Sequence, residues 1–334
     1  MTKTVSQKYP LPAYLEGRCT FPQFSKWLHS RGNTLLRRDK NRGMPYAQTC
    51  TEATYKEKIY SAVLNSNGRD PYTGDVLDWK LIGTWTESKE HDGDFRKQFG
   101  LMPAIDHPNP VVLEFEICSC LANACKSDLL PEEFRQFCRK VVDYHPTTLK
   151  ETSSARHYLA GLFALPAWHR FARAASFKSL PPVIIAELVK YPLPAFLEGR
   201  CVPSHFYSWL HAKGGTLRDA DKKRGRPYAR TSTDAIYREK VYAAILKCGE
   251  RDPYTGDPLA WELIGTWAPS KNEPSGYKKA FRLMPTVDHT DPDVLELEIC
   301  SWLVNTCKTD LNPQQFRHFC QKVVNYWGNF GVCP

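Results

Sequence analysis

LMPTVDH at residues 283–289, followed by ICSWLVNTCK at 299–308, is the stretch on which the fold turns. A short apolar run limited by Pro285 reads as a strand that ends on Asp288 and His289. The segment after it reads as a helix, on which Glu298, Trp302 and Asn305 stand at i, i+4 and i+7 and so share a face. An aspartate and a histidine side by side at a frayed or twisted strand end can both reach one site. A helix arriving directly afterwards can aim a further ligand at it. Asp288 and Asn305 offer oxygen, which suits a hard divalent cation such as Mg²⁺ that keeps several waters. His289 beside them is a base for water, because an unperturbed imidazole titrates near neutrality.

The same stretch occurs earlier in the chain, as LMPAIDH at 101–107 followed by ICSCLANACK at 117–126. It belongs to a long duplication: residues 9–144 align with 191–326 without a gap, and about three in five positions match. YPLPAYLEGRC at 9–19 returns as YPLPAFLEGRC at 191–201, and RDPYTGD at 69–75 returns at 251–257. The unit is too long for a solenoid repeat, so two tandem domains of one α+β fold are expected, at 1–144 and 191–334. Residues 145–190 have no counterpart. They open with a polar, linker-like stretch and continue as HYLAGLFALPAWHRFARAASF, an expected interdomain helix with a kink or break at Pro166.

Within each copy the pattern predicts a short helix at Phe24–His29 (Phe206–His211) that leads into a basic loop. A longer helix follows at Thr51–Leu64 (Thr233–Leu246), with Tyr55, Ile59, Ala62 and Val63 on one face. The turn Asp70–Gly74 has Pro and Gly where turn chemistry requires them. Trp79–Trp85 and Leu101–Asp106 read as two strands, and Val111–Cys125 and Pro131–Tyr144 as two closing helices. In the second copy Asn312-Pro313-Gln314-Gln315 supplies an N-cap, a first-turn proline and a capping glutamine. The tryptophans Trp27, Trp79, Trp85, Trp209, Trp261 and Trp267 are expected in the core.

Asp-His at a strand end, then a helix carrying Asn-x-x-Lys, resembles the HNH (ββα-metal) endonuclease motif, and the upstream Tyr-Thr-Gly at 72–74 and 254–256 fits the lead-in of many such modules. The resemblance covers the last part of each copy, and implies a C-terminal β-hairpin plus helix grasping one metal ion. It implies that Asp106, Asn123, Asp288 and Asn305 bind Mg²⁺ or Mn²⁺, that His107 and His289 act as general bases, and that Lys126 and Lys308 sit near the scissile phosphate. The family's middle asparagine, which orients the base, has no counterpart between Val111 and Cys120 or between Val294 and Ser301. Glu114, Glu116, Glu296 and Glu298 are the polar side chains in those stretches. The implied activity is metal-assisted hydrolysis of DNA phosphodiesters.

Composition agrees with a polyanionic partner. The 334 residues carry a net charge of +9, and 42% hydrophobic content is that of a globular chain. The densest cation clusters are Arg37, Arg38, Lys40 and Arg42 in the first copy and Lys222, Lys223, Arg224 and Arg226 in the second. They are expected to touch the phosphates of double-stranded DNA, positioning the duplex without reading it. No apolar run approaches membrane-spanning length and the N-terminus has no signal-like apolar segment, so a cytoplasmic protein with no membrane partner is expected. The 12 cysteines form no C-x-x-C pair, and most are expected to pack as small hydrophobes. Two sites in one chain suggest a pseudo-dimer that attacks both strands, in restriction first and in mobile-element cleavage second. The competing expectation is a DNA-binding protein that keeps the fold without catalysis.

Overall fold

A computed structural model describes residues 8–84, 98–145, 190–266 and 277–328. It is an α+β structure with two small antiparallel two-stranded sheets. The predicted interdomain helix with Pro166, and Trp85 and Trp267, lie outside the described residues. The chain divides into two compact units, one of residues 1–142 with 306–334 and the other of residues 143–305.

In the first copy the opening helix is far longer than its sequence suggests. α1 spans Phe21–Asn41, starting from a capping box in which the Thr20 side chain accepts from the Gln23 amide and the Gln23 side chain accepts from the Thr20 amide. Its buried stripe is Phe24, Trp27, Leu28, Gly32, Leu35 and Asp39, the three-to-four spacing of an amphipathic helix. Arg37, Arg38 and Lys40 therefore stand in the last turns of a helix rather than in a loop, and Arg42 is its C-cap residue. Cations are favoured there by the helix dipole. α2 (Pro45–Thr49) follows, then α3 (Glu52–Ser66), capped by Thr51 and burying Tyr55, Ile59, Ala62 and Val63 as the sequence predicts.

The hairpin is β1 (Pro103–Asp106) paired with β2 (Glu116–Ser119), in the register Asp106 opposite Glu116 and Ile105 opposite Ile117. This corrects two expectations. Trp79–Leu81 is a single 3₁₀ turn that buries Trp79, so it is not β1's partner. The partner comes from the front of the stretch expected as the helix Val111–Cys125. That helix, α4, spans only Cys120–Lys126, because Ser119 caps it by accepting from the Ala122 amide at 3.0 Å. α5 covers Pro131–Asp143.

The second copy repeats the order with α6 (Pro203–Lys223), α7 (Pro227–Thr231), α8 (Asp234–Cys248) and a short α9 (Tyr277–Ala280). β3 (Pro285–Asp291), β4 (Glu296–Ser301), α10 (Trp302–Lys308) and α11 (Pro313–Gly328) complete it. β3 runs past its histidine and carries an irregularity between His289 and Asp291, whereas β1 stops at Asp106. α11 counts with the first unit, where Phe319 packs on Phe134 and Phe316 on Phe137.

Each unit has its own aromatic-rich core. Phe24, Trp27, Tyr55 and Trp79 pack with Ile105 and Ile117 in one, and Phe206, Val241 and Trp261 pack with Val287 and Ile299 in the other. Burying side chains of this size stabilises each by about 1.5–3 kcal/mol. Trp209 is half-buried. The described cysteines are free thiols, and Cys118, Cys125, Cys138, Cys300, Cys307 and Cys320 are buried. Cys118 and Cys300 lie in strands rather than in helices. No described helix is long and apolar enough to cross a membrane.

Candidate active site

The turn repeated in both copies fixes the hairpin before any chemistry is possible. The buried Asp70 carboxylate accepts the Tyr72 and Thr73 amides through Oδ1, at 2.8 and 2.9 Å, and the Ser119 amide through Oδ2 at 2.6 Å. One side chain thus closes the Tyr-Thr-Gly turn and ties it to the junction of β2 and α4. Gly74 completes the turn at φ +72°, a conformation that L side chains rarely adopt. Asp252 holds Tyr254, Thr255 and Ser301 in the same way, at 2.8, 3.0 and 2.6 Å.

Asp106 and His107 are neighbours at the end of β1, yet they engage different partners. Successive side chains of a strand point to opposite faces. Asp106 turns toward α4 and the turn: its Oδ1 lies 3.1 Å from Lys126 Nζ, and its Oδ2 accepts from the Tyr72 hydroxyl at 2.9 Å. Both members of the ion pair are almost fully buried, with side chains 5% and 2% exposed. The same hydroxyl lies 3.4 Å from Glu116 Oε2. Burial, then the charge of Asp106, raises the Glu116 carboxyl, and the same two causes raise the Tyr72 hydroxyl.

His107 instead faces α1. Its Nε2 lies 3.0 Å from Asp39 Oδ2, and its Nδ1 lies 3.2 Å from Arg38 Nη2. A guanidinium can only donate, so Nδ1 is the acceptor and Nε2 donates its N–H to the Asp39 carboxylate. Asp39 is 1% exposed, and its Oδ2 also accepts from the Tyr55 hydroxyl at 3.0 Å and the Tyr46 hydroxyl at 3.4 Å. Burial pushes the Asp39 carboxyl up. The His107, Tyr55 and Arg38 contacts outweigh it and hold the carboxyl below its ordinary value. Burial and the Asp39 charge push the Tyr46 hydroxyl up to about 12, so it stays a donor.

The second copy has the same dyad. His289 Nε2 lies 2.9 Å from Asp221 Oδ2, which also accepts from Tyr237 at 2.8 Å and Tyr228 at 3.3 Å. Its surroundings differ. Position 38 is matched by Ala220, and the nearby guanidinium is that of Arg226, 3.5 Å from Asp221 Oδ1 and 2.8 Å from the Tyr228 hydroxyl. Asp288 is buried and its Oδ1 accepts the His289 amide at 2.8 Å, while Glu298, opposite it in the sheet, accepts from Tyr254. Asn123 and Asn305 are half-buried on α4 and α10, and Lys308, like Lys126, is buried.

The carboxylate on Nε2 of each histidine therefore comes from a helix aspartate and not from a hairpin glutamate. Asp39 and Asp221 lie inside the basic runs, which hid them. Their signal was positional: Asp39 follows Leu35 by four residues on α1's buried stripe, so its carboxylate had to face the core and find donors there. A metal ion at Asp106 does not fit the groups as they stand. Both carboxylate oxygens accept from protein donors, one of them a buried ammonium. What the site can do is accept a proton at His107 Nδ1 with the resulting charge supported by Asp39. No known protein family, curated protein or solved structure matches this chain.

Proposed function

We propose that the chain is a phosphodiester-hydrolysing nuclease acting on double-stranded DNA, with His107 and His289 as its general bases. One observation carries this reading. In both copies a buried aspartate fixes Nε2 of the histidine that follows the strand aspartate. Fixing Nε2 leaves Nδ1 as the proton acceptor, the arrangement by which a carboxylate sets the tautomer of a catalytic imidazole.

The chemistry follows from the residues in the first copy. Water gives a proton to His107 Nδ1, and its oxygen attacks phosphorus in line with the departing sugar oxygen. Asp39, kept ionised, stabilises the imidazolium that forms. Arg38 is on the imidazole and 40% exposed at its side chain, so it can take a phosphate oxygen. Arg37, Lys40 and Arg42 are exposed around it and suit the neighbouring phosphates. The bond between phosphorus and the sugar oxygen breaks, the departing oxygen takes a proton from solvent water, and the imidazolium returns its proton to solvent, so the products are a phosphate monoester and a hydroxyl end.

The enclosed Asp106–Lys126 pair and the 7% exposure of His289 favour a second reading, a DNA-binding protein without catalysis. Incubation of supercoiled plasmid with protein in a Mg²⁺ buffer separates the two. Nicked or linear product that disappears in His107→Ala/His289→Ala is expected. A wild type that shifts plasmid salt-sensitively but never nicks it supports the binder instead.

A further inference from the structure

The two copies match at their dyads but not at their rims. Residues 37–42 of the first copy are Arg-Arg-Asp-Lys-Asn-Arg, and the matching residues 219–224 are Asp-Ala-Asp-Lys-Lys-Arg. Position 220 therefore supplies no guanidinium to His289 as Arg38 does to His107, and an exposed aspartate, Asp219, replaces Arg37. Arg226 does not restore it, since its guanidinium is engaged with the Asp221 carboxylate and Tyr228 and its side chain is only 12% exposed. The loop after the strand differs in the same sense. Exposed Asp291 and Asp293 stand where the first copy has Asn109 and Val111. Both loops are anchored alike, by the Tyr46 hydroxyl on the Pro110 carbonyl and the Tyr228 hydroxyl on the Pro292 carbonyl, so the acidic side chains occupy the corresponding rim.

We infer that the two sites are unequal: the first, with Arg38 as its phosphate contact, cuts first, and the second completes the break slowly, so that nicked DNA accumulates. This rests on the nuclease reading and deepens it. The physical reason is the double use of Arg38. In the free protein its Nη2 donates to Nδ1 and occupies the base. A phosphate oxygen is the stronger acceptor for a guanidinium, so a bound phosphodiester draws Arg38 off the imidazole. Nδ1 is then released at the place where the attacking water must sit, with the target phosphate already clamped. The second copy has no arginine at that position and meets a polyanion with two further carboxylates at its loop, which repel phosphate.

The test compares single-site enzymes on supercoiled plasmid. His289→Ala, which keeps the first site, is expected to nick about 10- to 100-fold faster than His107→Ala, the worth of one charge-assisted contact. Adding Arg38→Ala to His289→Ala should remove that advantage. Arg38→Lys should restore only part of it, because an ammonium lacks the planar fork. Ala220→Arg added to His107→Ala should raise the slow rate. Equal rates for the two single-site enzymes, or a faster His107→Ala, would overturn the inference while leaving the nuclease reading intact. If the wild type does not cleave at all, the nuclease reading fails and binding of a short duplex decides the inference separately. Arg38→Ala must then weaken that binding, and Ala220→Arg must strengthen it. No change in either affinity or its salt dependence would sink the inequality of the two rims.

Discussion

Asp106 and His107 are adjacent in sequence and opposite in physical character. The aspartate is sealed in a buried cluster with Lys126, Tyr72 and Glu116, where every charge has an opposite or a donor beside it. The histidine stands at the edge of α1, its side chain 11% exposed, between a buried carboxylate and a half-exposed guanidinium. A pair that reads as one metal-and-base unit is divided by the strand into a structural half and, under the proposed function, a reactive half. The difference teaches that adjacency on a strand separates side chains, and that only residues from another element, here α1, complete a site with His107.

The largest effect should come from breaking the structural half. Lys126→Met leaves the Asp106 charge buried with only Tyr72 to support it, and is expected to cost about 3–5 kcal/mol. Asp106→Leu/Lys126→Met, which removes both charges, should recover most of that. Urea denaturation measures both. If Lys126→Met alone lowers stability by less than about 1 kcal/mol, the pair behaves like an exposed one and the comparison breaks.

The reactive half answers to Asp39. Asp39→Asn keeps the size and loses the charge that supports the imidazolium, so first-site nicking in a His289→Ala background should fall by about a hundredfold or more. The same variant carries a pH signature. Because the Asp39 carboxyl is held below its ordinary value, its stabilising contribution is complete above the unfolded pKa of about 3.9 and is lost as pH falls through the lower folded value. The wild type should therefore lose stability across that acid window more steeply than Asp39→Asn. Identical acid limbs would mean that the dyad contributes nothing to folding, and would leave only the rate to test it.

How much of this was legible beforehand depends on which force decided each element. α3 and α5 follow from their apolar spacing alone, and β1 ends on Asp106 as its pattern says. The strand partner was hidden for a specific reason. Trp79–Leu81 has strand-like composition, but its tryptophan is needed in the core against Trp27, and a 3₁₀ turn delivers it there. Glu116–Ser119 runs into α4 with no Gly or Pro between them, so only the capping serine marks the boundary. Tertiary packing overrode local propensity in both places. The site was half legible: His107 and Arg38 could be named from sequence, but their meeting across 69 residues could not. The buried role of Lys126 was equally out of reach, since a lysine is rarely enclosed unless a partner from elsewhere compensates it.

The smallest expected effect sharpens the comparison most, because it concerns whether the structural half can turn reactive. With both Asp106 oxygens engaged, Mg²⁺, Mn²⁺ and EDTA should each leave the thermal midpoint of the DNA-free protein unchanged within about a degree. A cation that did bind the native fold at a hundred times its dissociation constant would add about 2.7 kcal/mol and move the midpoint by several degrees. It would first have to expel the Lys126 ammonium from a position 2% exposed, and give that ammonium water in place of a carboxylate. A Mn²⁺-dependent rise in the midpoint that Asp106→Asn abolishes would show that this exchange occurs. Asp106 would then pass from the structural half to the reactive one, and the division argued from the strand would hold only for the protein without its cation.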